Sequence, residues 1–308
     1  MTPDWDPRKL PRQDGATFVV TGGSSGIGYF AAEQLAEAGA TVVIAARSRE
    51  KFEAAAASIR ARVLDARVEF VELDLSSLTS VRSAAEQLNQ RDRIDGVLEN
   101  AAVILAGPKR LTTADGFELT FGTNHLGHFA LTALMFPVLA RTPCSRIVTM
   151  GSGVTKFLTL HADDLQSEKK YGSFSSYGQS KYATQAFGFE LDRRLRAAGS
   201  GVMALVAHPG GAQDGLTPRR AGVNEPTVGQ RILAGFSIVA GASKEAAARP
   251  LVRAATDPDA VGGQYWGRTN PISGRPVLNT PSPASHSPEF GEALWALSEN
   301  WTGIDFEI

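Results

Sequence analysis

The stretch ATFVVTGGSSGIG, residues 16–28, passes from a short apolar run through a glycine- and serine-rich turn into a helical pattern that continues to about Ala38. Gly22, Gly26 and Gly28 permit a tight turn and let backbone N–H groups approach a pyrophosphate, with Ser24, Ser25 and Ile27 in the same turn. The helix that follows adds its dipole and its unsatisfied first-turn donors, which favour an anion. The spacing is GxxxGxG rather than the GxGxxG of the common dinucleotide fingerprint, but the strand–turn–helix context is the one a dinucleotide site requires. A plain Gly/Ser loop is the competing reading.

The next strand, Thr41 to Ala46, is followed by Arg47, Ser48 and Arg49. Sites for NAD commonly place an Asp or Glu there to bind the ribose 2′-hydroxyl. A guanidinium at that point attracts the 2′-phosphate of NADP through charge-assisted hydrogen bonds. NADP(H) is therefore favoured over NAD(H), with Arg47 as first candidate and Ser48 or Arg49 assisting. The alternative is an arginine on the first turn of an exposed helix.

Outward from this turn, apolar strand-type runs alternate with helical patterns. Strands are expected at 68–73, around 97–98, at 145–150 and at 202–207. Helices are expected from Ser48 to about 62, from Ser76 or Ser77 to about 90, over 116–139 and over 175–198. This alternation implies parallel pairing with crossovers, hence an α/β fold with a doubly wound parallel sheet. From Gly210 to Gly241 it loosens. A helix then starts at Ser243, residues 262–266 resemble a last strand, 271–288 read as loop, and 289–299 as a closing helix. No linker divides the chain, so 1–308 is read as one domain: an arm over 1–14, a core over 15–210, a substrate lid over 211–241 and a C-terminal part over 242–308.

The formal charge of -1 and pI near 6.5 favour neither nucleic acid nor an anionic membrane as partner. The single cysteine, Cys144, allows no intramolecular disulfide and is expected to be a small buried hydrophobe. Neither a signal-peptide core nor an apolar run of membrane-spanning length is present, so no membrane span and a cytoplasmic location are expected.

In SSYGQSKYATQ, residues 175–185, Tyr177 and Lys181 lie four apart at the start of a helical pattern and so share one face. A free phenol has a pKa of about 10, and a neighbouring ammonium lowers it by stabilising the phenolate. Nothing local decides between two residues of a solvated helix face and a coupled proton donor.

With TGGSSGIG at 21–28, Leu73-Asp74-Leu75, Asn100-Ala101-Ala102, Asn124, Ser152, Tyr177 with Lys181 and His208-Pro209-Gly210 in this order, the chain resembles the short-chain dehydrogenase/reductase family over about residues 15–267. NHLGHF, from Asn124 to Phe129, is most similar to its retinol-dehydrogenase-like and protochlorophyllide-reductase-like branch. The resemblance implies a Rossmann-type three-layer sandwich and a carbonyl/alcohol oxidoreductase. It implies that Asp74 receives the adenine amino group, that Asn100 supports the sheet, and that Leu75, Ala101, Pro209 and Gly210 line the cofactor. Asn124, Ser152, Tyr177 and Lys181 become the catalytic tetrad: Ser152 binds the substrate oxygen, Tyr177 protonates it, Lys181 holds the nicotinamide ribose, and Asn124 orients a water leading to Lys181. Pairing of the helices 116–139 and 175–198 into a homodimer or homotetramer is a further family habit.

Three positions depart from the family pattern. Glu99 stands where an asparagine is usual, Gly151 precedes Ser152 where a second serine is usual, and Asp214 replaces the threonine that holds the carboxamide. Thr217 is the nearest substitute for that threonine. These departures keep a non-redox lyase, isomerase or cyclase, or a nucleotide sensor without turnover, as rival readings. His125 and His128, lacking a third ligand, are expected to pack rather than bind metal, and His208 to be structural. Arg193, Arg194 and Arg196 read as a solvated face or subunit contact. Trp266, Phe236 and Trp295 are core residues by default, or the lining of an apolar substrate pocket.

Overall fold

A computed structural model describes residues 10–105, 107–231, 241–270 and 274–308. Its centre is an eight-stranded sheet in the order β10-β9-β6-β5-β4-β1-β2-β3. The strands are β1 (Thr17–Thr21), β2 (Thr41–Ala46), β3 (Arg67–Glu72), β4 (Gly96–Glu99), β5 (Arg146–Met150), β6 (Met203–Ala207), β9 (Tyr265–Arg268) and β10 (Pro276–Leu278). All neighbours pair in parallel except β10, which runs antiparallel to β9. The strand order reverses at β1, between β2 and β4. In such sheets the crevice beyond the carboxyl ends at the reversal is where ligands bind.

Because successive strand residues point to opposite faces, two cores form. Phe18, Val20, Leu98, Val148, Met150 and Leu205 meet α1 (Gly26–Glu37), α2 (Arg49–Arg60) and α7 (Lys244–Thr256) on one face. Val19, Val97, Ile147 and Ala204 meet α3 (Leu78–Asn89), α5 (Gly127–Ala140) and α6 (Ser173–Ala197) on the other. Serines cap several of these helices: Ser48, Ser77 and Ser243 each accept a first-turn N–H.

The helix expected over 116–139 starts instead at Leu119 with a short α4 (Leu119–Phe121), after Glu118 caps Phe121 N. It widens into a π-helix over Gly122–Leu126 before α5. That widened turn carries Asn124, and π-turns of this kind often mark functional positions. The last expected strand lies three residues later than 262–266. Gly263 takes a φ of 76° and the Gly262–Gly263 pair closes against the Asp192 carboxylate, so these glycines form the turn that leads into β9. The expected loop over 271–288 contains β10, an edge strand whose first residue is Pro276, a position where the missing N–H is tolerated. Cys144 is exposed rather than buried. It follows Pro143 in the turn after α5, with a φ of 56°, which turns its side chain away from the core.

Of the expected lid, β7 (Ala212–Gln213) pairs with β8 (Ala242–Ser243). Arg220, further along, is tied to Glu33 of α1. Phe236 lies outside the described residues. Trp266 and Trp295, each 2% exposed, belong to the two cores rather than to a substrate pocket. The C-terminal helix α8 (Pro288–Thr302) packs on α6, and its Trp295 meets Phe129 edge-on at 5.4 Å and stacks on Phe306 at 4.9 Å. The arginines of α6 form intramolecular ion pairs on a partly solvated face. Arg193 and Arg194 pair with Glu190, Arg196 pairs with Asp192, and Arg194 lies over the Trp295 ring. Among the described residues no helix is long and apolar enough to cross a membrane.

Candidate active site

A cleft of about 860 Å³ opens at the carboxyl ends of the strands around β1. Its floor is the turn from Thr21 to Gly28. Gly22 and Gly26 have φ values of 65° and 60°, the left-handed region that glycine adopts without strain. Gly28 serves packing: a Cβ there would come within 2.4 Å of Asn100 Nδ2 and 2.6 Å of the Gly22 carbonyl. Ser25 precedes α1 without capping it through its side chain, and the first turn holds no acid, so the helix start stays open to an anion. The backbone and charge of this turn fit a dinucleotide pyrophosphate.

At one end of the cleft stand Arg47, Ser48 and Lys51. Ser48 is the cap of α2, accepting from Lys51 N, and Arg49 lies over the Phe70 ring at 4.6 Å. Lys51 lines the cleft beside Arg47. Its signal in the sequence is a cation three residues beyond a capping serine, which puts it on the first helical turn beside Arg47. Asp74 and Leu75 line the same end, with Asp74 Oδ1 held by Ser76 N and Oγ at 2.9 and 2.7 Å.

Toward the other end lie Asn100, Ala101, Tyr177, Lys181 and Pro209. Asn100 Nδ2 donates to the Thr21 carbonyl, clamping β4 to β1. Gly210, at a φ of 70°, turns the chain away after Pro209. Ser152 opens a 3-10 turn (Gly153–Lys156) and its hydroxyl acts on the Tyr177 phenol. The glycine before it has a local cause. A Cβ at Gly151 would come within 2.7 Å of Gln185, whose Nε2 donates to the Ser152 carbonyl at 2.8 Å.

The expected acidification of Tyr177 by Lys181 is absent from this geometry. Burial holds the phenol above its ordinary value, with the Ser152 hydroxyl working the other way. The ammonium sits 5.8 Å from the centre of the Tyr177 ring and donates to the Met150 carbonyl at 2.8 Å. Burial pushes Lys181 down to about 8. Asn124 is held through both its side chain and its carbonyl. Its side chain exchanges hydrogen bonds with Val103 N and O and donates to Ser180 Oγ, while its carbonyl accepts from His128 Nδ1 and Thr184 Oγ1.

Asp214 forms an ion pair with Lys244 at the start of α7, and Lys244 lines the cleft. The carboxylate charge is thereby balanced beside the pyrophosphate turn. Nothing in the sequence announces this, since the partners are thirty residues apart. Thr217 is not a substitute in the cleft: it is fully buried, donating to the Gln213 carbonyl and accepting from Lys244 N.

His125 and His128 are buried at 1% and 2% exposure. His125 Nε2 meets Ser298 Oγ at 2.8 Å. His128 Nδ1 faces a carbonyl and must carry the proton, so Nε2 accepts from Thr21 Oγ1 at 2.9 Å. Burial pushes the two rings down to about 3 and about 4. Unfolded, they bind protons below about 6.5. Stability rises with pH wherever the unfolded chain binds more protons, so this contribution is present above about 6.5 and is lost toward pH 4. The thermal midpoint should drop over that window, and His128→Gln should flatten the drop in a pH series of calorimetric scans. Equal slopes would remove the imidazole from the account. His208, next to Pro209, tilts over Tyr265 with ring centres 5.1 Å apart.

With this geometry in hand, residues 16–222 match the family model described as short chain dehydrogenase. Human (Homo sapiens) retinol dehydrogenase 13 is 36% identical over 295 residues, covering 94% of this chain and 86% of that one. Human polyprenol dehydrogenase is 39% identical over 209 residues, covering 67% and 63%. The crystal structure of an uncharacterized protein from Mycobacterium paratuberculosis superposes with a TM-score of 0.79 at 35% identity, covering 99% of each chain. A short chain dehydrogenase from Burkholderia cenocepacia, solved with NADP, shares the fold at a TM-score of 0.64 and 23% identity, covering 83% of this chain and 97% of that one.

Proposed function

The chain belongs to the short-chain dehydrogenase family of NAD(P)-dependent oxidoreductases acting on alcohol and carbonyl groups, and on that footing we propose that it is NADP-dependent and acts on a fairly apolar small molecule. The observation that carries this is the placing of Arg47 and Lys51 in one cleft with Tyr177 and Lys181. The nicotinamide, when bound, supplies or takes the hydride. The chain's own residues do the rest. The glycine turn and the start of α1 hold the pyrophosphate, Asp74 and Leu75 hold the adenine end, and Arg47 with Lys51 binds the 2′-phosphate. Ser152 hydrogen-bonds the substrate oxygen, and Tyr177 delivers or takes the proton at that oxygen.

Support for an apolar substrate comes from the mouth of the cleft. Ile104, in the lining, is 56% exposed. Two of the relatives are named for retinol and polyprenol, which are long apolar alcohols. A homodimer or homotetramer formed through α5 and α6 would have to accommodate α8, which covers part of that face.

The test is a cofactor titration with a panel of apolar aldehydes and ketones. NADPH should bind at least tenfold more tightly than NADH. Arg47→Ala should weaken NADPH by ~10–100-fold, one charge-assisted bond of ~1.5–3 kcal/mol, and leave NADH almost unchanged. A ratio of dissociation constants near one in the unaltered protein would defeat the NADP assignment, and the absence of NADPH oxidation across the panel would defeat the substrate class.

A further inference from the structure

Glu99 ends β4 where its register partner on β5 is Thr149. Both lie on the sheet face that carries α5 and α6, the face of Val97 and Ile147. The Glu99 side chain is 1% exposed. One oxygen accepts from Thr132 of α5 in a short hydrogen bond, and the other, Oε2, has no hydrogen-bond partner among the described residues. Thr149 Oγ1 beside it has none either. The residue after Thr149 is Met150, whose carbonyl receives the Lys181 ammonium at 2.8 Å. A carboxyl and an ammonium, both removed from water, therefore meet at the adjoining ends of two strands without forming a direct ion pair.

We propose that Glu99 is a positioning residue for Lys181: its carboxylate is the counter-charge that keeps the buried ammonium protonated as the surroundings become alkaline. The inference rests on the oxidoreductase reading above, in which Lys181 lines the cleft beside Tyr177 and, as an ammonium, would hold the nicotinamide ribose. The titratable groups around Lys181 are Glu99 from β4, His128 from α5 and Tyr177 from α6. His128 is held neutral by burial, and Tyr177 is held protonated. Among the described residues around Lys181, only Glu99 can offer a negative charge.

Burial pushes the Glu99 carboxyl up to about 8, against the Thr132 hydrogen bond and the Lys181 charge. The pair then loses its first proton from one group or the other. The state with ammonium and carboxylate gains their mutual attraction at low dielectric, whereas the state with neutral amine and neutral acid gains none. In the proposal that attraction offsets the cost of burying both charges, so the first proton leaves Glu99 and the lysine keeps its own to higher pH. The family's asparagine at this position offers no such charge.

The experiment has two arms. In the first, kcat/KM for NADPH-dependent reduction is followed from pH 6 to 10 in the unaltered enzyme and in Glu99→Gln, Glu99→Asn and Glu99→Asp. The alkaline limb should move down by at least one pH unit in the Gln and Asn variants, an approximately tenfold loss above the limb with little change at pH 6. It should stay in place in Glu99→Asp, which keeps the charge, whereas a purely structural defect would appear at every pH. In the second, the Lys181 side-chain resonance, assigned through Lys181→Met, is titrated by lysine-selective NMR without substrate. Its midpoint should fall by a comparable amount in Glu99→Gln, or in Glu99→Asn should the first variant fail to fold. A midpoint that stays within 0.3 unit, or a limb that stays in place in an active variant, overturns the proposal. A shifted midpoint in a protein that reduces nothing upholds the counter-charge and sinks the oxidoreductase reading instead.

Discussion

Tyr177→Phe should lower kcat for NADPH-dependent reduction by ~10²–10⁴-fold, the range attributed to a positioned general acid. The substitution removes one oxygen and leaves the ring, so the packing of α6 is kept. The pyrophosphate turn, Arg47 and Lys51 are untouched, so the dissociation constant for NADPH, read from quenching of protein fluorescence, should stay within about threefold. A loss of ~10²–10⁴ corresponds to ~3–5 kcal/mol at the transition state. That is more than a neutral hydrogen bond to a bound substrate contributes, which separates proton transfer from simple binding. Turnover reduced by less than tenfold would assign the proton to another group. Loss of cofactor binding in parallel would make the phenol a structural element of the cleft.

Arg220→Met should destabilise the fold by ~3 kcal/mol, the lower end of the range for removing one partner of a buried ion pair. Arg220 reaches Glu33 with two parallel hydrogen bonds, at 2.6 Å from Nε and 2.7 Å from Nη2, and both side chains are below 10% exposure. Its guanidinium lies over Phe30, 5.3 Å from the ring centre. Tyr29 OH also donates to Glu33 at 2.9 Å, and Arg62 approaches at 3.4 Å. These two contacts remain in the variant, which is why the lower end is expected. Glu33→Met/Arg220→Met together should recover most of the loss, because no unpaired charge is then buried. Urea unfolding of the two singles and the double measures this directly. If the double is as unstable as Arg220→Met alone, packing rather than the stranded carboxylate is responsible. The pair joins the start of the expected lid to the helix that bears the pyrophosphate turn, so the 217–224 segment is part of the frame.

Legibility in the sequence followed the range of the interactions. Alternating apolar runs and helical patterns gave the parallel sheet and its strands to within a few residues, because pleat and helix period act over neighbouring positions. The failures lie where a distant group intervenes. Gly262 and Gly263 form a turn because Asp192 of α6 lies against them, and Pro276–Leu278 becomes a strand because β9 offers an edge. The widened turn at Asn124 and the exposure of Cys144 are likewise settled by how α5 is entered and left.

By itself, the sequence determined the turn that can cradle a pyrophosphate, the arginine after β2 and the tyrosine–lysine pair, since each depends on residues within one turn of the chain. Only the tertiary structure decided their electrical setting. It balances Asp214 with Lys244, turns Arg49 onto Phe70, uses Thr217 as a cap and buries Glu99 opposite Lys181. The physical reason is that charge and hydrogen bonding act through space. Desolvation and opposite charge are properties of a neighbourhood assembled from β4, β5, α5 and α6, and no short stretch of the chain contains it.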